Sequence, residues 1–187
     1  LLAGLFGMQA HADYVAPSPS VASQAAQYSI MDINSLIKAA KAGQAGAQFY
    51  LATKYQYGKD IQKDERQAFA WYKAAADQGL AVAQLNVGRM LADGMGTRKD
   101  EALARQYFEK AASRGDNRAS FNLAMMEEKK KNYMGAYQWY ELSTRDGMLD
   151  NKVITLSEGK KTALAANLTQ EQIRQARDRA DRWIQAQ

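Results

Sequence analysis

Cysteine is absent from this 187-residue sequence. Disulfides, thiol nucleophiles and thiolate metal sites are excluded with it, as is a bacterial lipid anchor, which needs a cysteine at the new N-terminus. Histidine occurs once, at His11, too few for a histidine metal cluster or a histidine-based catalytic triad. Proline occurs only at Pro17 and Pro19, so the chain beyond them is free of the residue that breaks helices. The apolar opening, Leu1 to Gln9, is shorter than the ~18 residues a membrane-spanning helix needs. Charge of one sign is also lacking, since 25 basic residues face 20 acidic ones for a net +5. The longest basic run, Lys129-Lys130-Lys131, follows Glu127-Glu128. Charges so interleaved are the solvated faces of helices and do not form a nucleic-acid-binding stripe.

What is abundant is alanine, within a hydrophobic fraction of 47%. Alanine loses no side-chain entropy on becoming helical, so this composition favours helix throughout. It is also ordered. Ala47-Gln48, Lys63-Asp64, Trp71-Tyr72, Ala75-Ala76 and Gly79 return 36 residues later as Ala83-Gln84, Lys99-Asp100, Tyr107-Phe108, Ala111-Ala112 and Gly115. A fixed period of this length marks a stacked repeat architecture. The pattern predicts helices over 45–57 and 64–78 joined by Gly58 to Lys63, with Asp64 as N-cap and Gly79 as the left-handed exit. The second repeat duplicates both devices with Asp100 and Gly115, around the loop Gly94-Met95-Gly96-Thr97-Arg98-Lys99.

A third copy keeps register at Ala119, Leu123, Ala124, Ala136, Trp139, Tyr140 and Gly147, but Gly115 to Gly147 spans 32 residues. The four missing residues are the loop, so a tighter turn must join these two helices. Upstream, 30–43 reads as a lone second helix, a capping half repeat, because Gly43 lies 36 before Gly79. Downstream, 148–187 reads as a divergent helix pair. Its last helix opens on Thr169-Gln170-Glu171-Gln172, a capping-box spacing, with Ile173, Ala176, Ala180, Trp183 and Ile184 on one face. Before the repeats, Ala10-His11-Ala12 ahead of Asp13 reads as the end of a secretory signal over 1–12, and 13–29 as a disordered leader. The expected location is periplasmic or secreted.

Most repeated letters are a packing code. Ala47, Ala83 and Ala119, with Ala75, Ala111 and Ser143, let helices approach closely. Trp71, Tyr107 and Trp139, with Tyr72, Phe108 and Tyr140, fill the remaining space, and a buried Trp71 is expected in that core. No repeat of this kind buries its own face, so stability must come from stacking.

Ala47-Gln48, Leu51-Ala52, Tyr55, Gly58, Lys63-Asp64, Ala68, Trp71-Tyr72, Ala75-Ala76 and Gly79 resemble the Sel-one-like repeat, a cousin of the tetratricopeptide repeat with a longer loop. The second repeat matches as well, with Leu91 in place of the usual tyrosine. The resemblance implies an all-α, right-handed solenoid of antiparallel helix pairs, about three repeats over 44–147 with capping helices. It implies scaffold or adaptor work on protein or peptide partners; separately, no cofactor or metal is expected, and the chain is expected to act as a monomer.

On that resemblance the first helices line a concave groove. Aligning Leu51, Val87 and Leu123 puts Tyr50, Asn86 and Asn122 at one outward position, with Phe49, Thr53, Tyr57, Arg89, Arg118 and Met125 nearby. In related peptide binders an asparagine so placed holds a ligand's backbone or carboxylate, since its amide both donates and accepts. Catalytic patterns are missing: paired carboxylates are helix-face charges, and Gly94-Met95-Gly96 lacks the lysine-serine and strand context of a phosphate loop. The expected function is a non-enzymatic interaction module of the bacterial envelope. The alternative is an immunity or inhibitor protein that neutralises one periplasmic toxin or enzyme. An enzyme acting on wall glycans would need an acid and base in a cleft, which the sequence does not display.

Overall fold

The computed structural model describes residues 26–145 and 150–187. The expected signal remnant, most of the leader, and Gly147 lie outside the described residues. After a short helical stretch at 26–30 come α1 Ile33–Lys41, α2 Ala45–Tyr57, α3 Glu65–Asp77, α4 Ala81–Asp93, α5 Glu101–Ala112, α6 Asn117–Lys129, α7 Tyr133–Ser143, α8 Asn151–Ala165 and α9 Gln170–Gln185. Each helix from α1 to α7 packs on the next, and α9 folds back onto α7. The result is an α-solenoid. The pairs α2/α3, α4/α5 and α6/α7 form the repeats, α1 precedes them as a half repeat, and α8 and α9 cover the last pair.

The local signals act as the sequence predicts. Asp64 accepts from the amides of Arg66 and Gln67 at 2.9 and 3.0 Å, and Asp100 from that of Leu103 at 2.9 Å. Gly43, Gly79 and Gly115 leave their helices with φ of 87°, 89° and 82°, a conformation cheap only for glycine. In the third repeat three residues, Lys130 to Asn132, join α6 to α7, and Lys131 takes the positive φ of 58° without being glycine. Thr169 and Gln172 close the capping box at 2.9 and 3.1 Å.

The alanine columns are fully buried: Ala47, Ala83, Ala119, Ala75 and Ala111 all have 0% exposure. Tyr72, Phe108 and Tyr140 fill the spaces between them and are equally closed to solvent. Three expectations fail here. Trp71 is only partly buried, packing on the rim of the core, and its inner neighbour Tyr72 takes the central place. Ile184 is 45% exposed, because Trp183 alone of that pair meets the core, through an edge-on contact with Trp139 at 4.9 Å. Residues 26–29, expected in the leader, are helical instead. The hydroxyl of Tyr28 donates to Gln44 at 2.6 Å, and its ring lies against Gly46, where a Cβ would come within 2.7 Å.

The repeated glutamines have a role that their spacing alone did not show. Gln48 Nε2 donates to the carbonyl of Ala40, and Gln84 Nε2 to that of Ala76, both at 3.2 Å. Each ties a first helix to the C-terminal carbonyls of the helix before it. At the first junction Gln78 completes the bridge, donating to Gln48 Oε1 at 2.8 Å and to the Gly43 carbonyl at 2.9 Å. At the second junction Arg114 stands 36 residues on from Gln78, its guanidinium against Gly79, and buried Gln84 Oε1 has no protein partner among the described residues. Arg114→Gln should restore that partner and raise stability by about 1 kcal/mol in urea unfolding.

The C-terminal cap is held by ions. Glu141, 13% exposed at its side chain, accepts from Lys161 Nζ and Arg145 at 3.0 Å each. Burial pushes its carboxyl up, but the bonds from Lys161 and Arg145 outweigh burial and hold it below the usual 4.5. A lowered folded value gives stability that is present above about pH 4.5 and is lost as pH falls through the folded value. Glu141→Gln should cost about 1–2 kcal/mol at neutral pH, allowing for the exposure of neighbouring charges. The gap between variant and parent should shrink below about pH 4.5 when urea midpoints are followed against pH.

Candidate functional site

The residues expected along the first helices fall into three groups. Phe49 and Thr53 face inward. The Phe49 ring packs on Tyr72 at 5.5 Å and on Tyr50 at 5.3 Å, and the Thr53 and Tyr72 hydroxyls lie 3.0 Å apart. Tyr50 packs against the small cluster formed with Leu36, Ala40 and Leu51.

Asn86, Asn122 and Arg118 are half-buried and already engaged. Asn86 Nδ2 donates to the Val82 carbonyl at 2.9 Å, and Asn122 Nδ2 to that of Arg118 at 2.7 Å. Each amide thus keeps its second N–H and its carbonyl oxygen for a ligand. Arg118 forks onto fully buried Asp116 at 2.9 and 2.6 Å, which raises its guanidinium further above its ordinary value. That pair orders the start of α6, because Asp116 also caps the Arg118 amide at 3.1 Å.

Tyr57, Arg89 and Met125 are free to meet a partner. Tyr57 is 73% exposed and Met125 49% exposed, and Arg89 is exposed without an ion pair among the described residues. Arg89 and Met125 are 36 apart, hence at one register of α4 and α6.

Beside Met125 opens a cleft of about 310 Å³. Phe108 forms its floor, and Ala92, Met125 and Met126 form its apolar walls. Asn122 and the charged groups of Asp93, Lys99, Glu101 and Lys129 stand around its mouth. Of the expected residues, the structure brings only Asn122 and Met125 into this cleft. The floor is apolar because the second repeat departs from its neighbours at two linked positions. In the first repeat Tyr72 donates to Gln56 at 2.8 Å, and in the third Tyr140 donates to Glu128 at 2.8 Å. Burial pushes the Tyr72 hydroxyl up to about 12, so it stays protonated and keeps donating. In the second repeat the corresponding residues are Phe108 and Ala92, with no hydroxyl to hold and no long side chain to cover the ring. Sequence reasoning passed over these residues, although the non-repeating pair was visible at the fixed spacing.

The rim is ionic. Glu101 is shared by two ammonium groups, Lys129 at 2.8 Å and Lys99 at 3.2 Å. Hydrogen bonds from Lys129 and then Lys99 hold its carboxyl below the ordinary range. Among the described residues no group of three or more His, Cys, Asp or Glu side chains could hold a metal ion, and no helix is long and apolar enough to cross a membrane. The site can therefore seat an apolar side chain and an ionic neighbour.

Residues 45–80, 81–116 and 118–148 each match the family model described as the Sel1 repeat. No curated protein matches the chain. Among solved structures, a Sel1 repeat protein from Oxalobacter formigenes is 32% identical with a TM-score of 0.57, over 68% of this chain and 98% of that one. A protective antigen of uropathogenic Escherichia coli strains, displaying an SLR fold, is 25% identical with a TM-score of 0.49. The alignment with it covers 80% of this chain and 40% of the antigen. With three matched repeats on a helical solenoid, the chain belongs to the Sel1 repeat family.

Proposed function

We propose that this protein is a non-enzymatic interaction module of the bacterial envelope, which holds a protein or peptide segment along the first helices of its repeats. Sel1 repeat proteins are generally protein–protein interaction scaffolds, and three matched repeats support that role here. The observation that carries the reading is the exposure of Tyr57 at the end of α2 and of Arg89 and Met125 at one register of α4 and α6. There Tyr57 and Met125 leave large apolar surface in water, and Arg89 stands without an ion pair among the described residues. Aromatic, methionine and arginine side chains are the types enriched in interface cores. Envelope location rests on the Ala10-His11-Ala12 pattern before Asp13.

The test is capture from an envelope extract by the full chain and by an Asn86→Ala, Asn122→Ala double variant. Each asparagine makes one side-chain bond within its own helix, so the variant should melt within about 2 °C of the parent, as surface changes do. It should nevertheless lose most of the captured partner. Undiminished capture would show that the bound segment lies elsewhere. Stoichiometric recovery of a single protein marks an inhibitor of that protein, and recovery of several marks a scaffold.

A further inference from the structure

We propose that the cleft between α4, α5 and α6 is a socket for a methionine-like aliphatic side chain with a carboxylate beside it, carried on a loop of the partner protein. The proposal rests on reading the protein as an interaction module and names the chemistry its partner must present.

The chain itself shows what belongs in such a place. At the junction of the first and second repeats, the ground over the start of α3 is covered by the loop Gly94 to Lys99. Gly96 lies so close to the first turn of α3 that an added Cβ would stand 2.0 Å from the Glu65 carbonyl oxygen. Met95, between the two glycines, packs its side chain against the core. One repeat later the equivalent of Glu65 is Glu101, at the start of α5. The covering loop should come from the third repeat, but there three residues carry the chain from α6 to α7. The start of α5 is left open, and the cleft of about 310 Å³ lies there. It is the place of a deleted loop, floored by Phe108, which no polar side chain covers.

Charge selects the neighbour of the aliphatic group. Lys99 and Lys129 share one carboxylate, that of Glu101. Asp93 is the other carboxylate at the mouth, and it makes no ion pair with either lysine among the described residues. Two ammonium groups on one carboxylate leave one positive charge without a paired partner, which is room for one acidic group. A partner carboxylate set between Lys99 and Lys129 would meet both ammonium groups without displacing Glu101.

The probe is a short capped peptide, Gly-Met-Gly-Asp, added to the full chain with its methionine methyl groups isotopically labelled. Saturable shifts are expected at Met125 and Met126, with Met31, Met90 and Met134 unmoved. Replacing the peptide's methionine by serine, or its aspartate by lysine, should abolish them. In the protein, Ala92→Gln places over Phe108 the side chain that Gln56 places over Tyr72, and should weaken the probe by about tenfold or more, the worth of burying one aliphatic group. Should Ala92→Gln fail to fold, Lys129→Glu on the surface serves instead, and must remove the preference for the acidic peptide. Shifts spread over all the methionines, or affinity unchanged in whichever folded variant is used, overturn the socket. A captured protein partner that binds the Ala92→Gln or Lys129→Glu chain as well as the parent leaves the interaction module standing and removes only the socket. Absence of any captured protein counts against the interaction module, whatever the peptide does.

Discussion

Close approach of helix backbones is the constraint on which everything else here depends. Ala47, Ala83 and Ala119 on the first helices, and Ala75 and Ala111 on the second, are shut off from solvent. Their small side chains bring the helix axes near enough for one large ring per repeat to lock each pair. Those rings, Tyr72, Phe108 and Tyr140, then set what can stand above them. Interiors packed to crystal-like density leave no slack, so a larger residue in an alanine column displaces a ring, and a smaller ring leaves a void. The groove side chains inherit their positions from this spacing and have little freedom of their own.

The junctions show how strictly the repeat is kept and where it is relaxed. Gln48 and Gln84 make the same bond to the preceding helix end, at the same length. The second acceptor bond is made by Gln78 at one junction and is missing where Arg114 takes that place. In a solenoid, stability is a sum of repeat terms and nearest-neighbour terms, so unequal junctions make unequal cooperativity along the chain. The C-terminal cap uses a different device, the ion cluster of Glu141, Lys161 and Arg145, with Ser143 donating to the Tyr140 carbonyl and accepting from the Ser157 hydroxyl.

The fold was legible because its signals are local and repeated. Period, N-caps, glycine exits and the capping box each occupy a few adjacent residues, and the structure places them where the spacing does. Burial of individual rings was less legible. Trp71 and Tyr72 are neighbours in sequence, and only the phase of α3 against α2 decides which one turns inward. The candidate site was legible in part. Met125 and Asn122 do line the cleft, but Phe49 and Thr53 turn toward Tyr72, because a helix stripe described as outward is only about a hundred degrees wide. The cleft is made by residues from three helices and by a loop that is not there. Its traces in the sequence were the Ala92 and Phe108 pair, out of step with the other repeats, and the interval of 32 where 36 had stood before.

That interval has an evolutionary consequence. The three-residue connection from Lys130 to Asn132 changes the surface without touching an alanine column or a core ring. Insertions and deletions in the turns of such a chain can open, close or reshape pockets at nearly constant stability, since loop length is thermodynamically cheap. A lineage of these proteins can therefore change its partners by indel, with the substitution record of the core almost silent about when it happened.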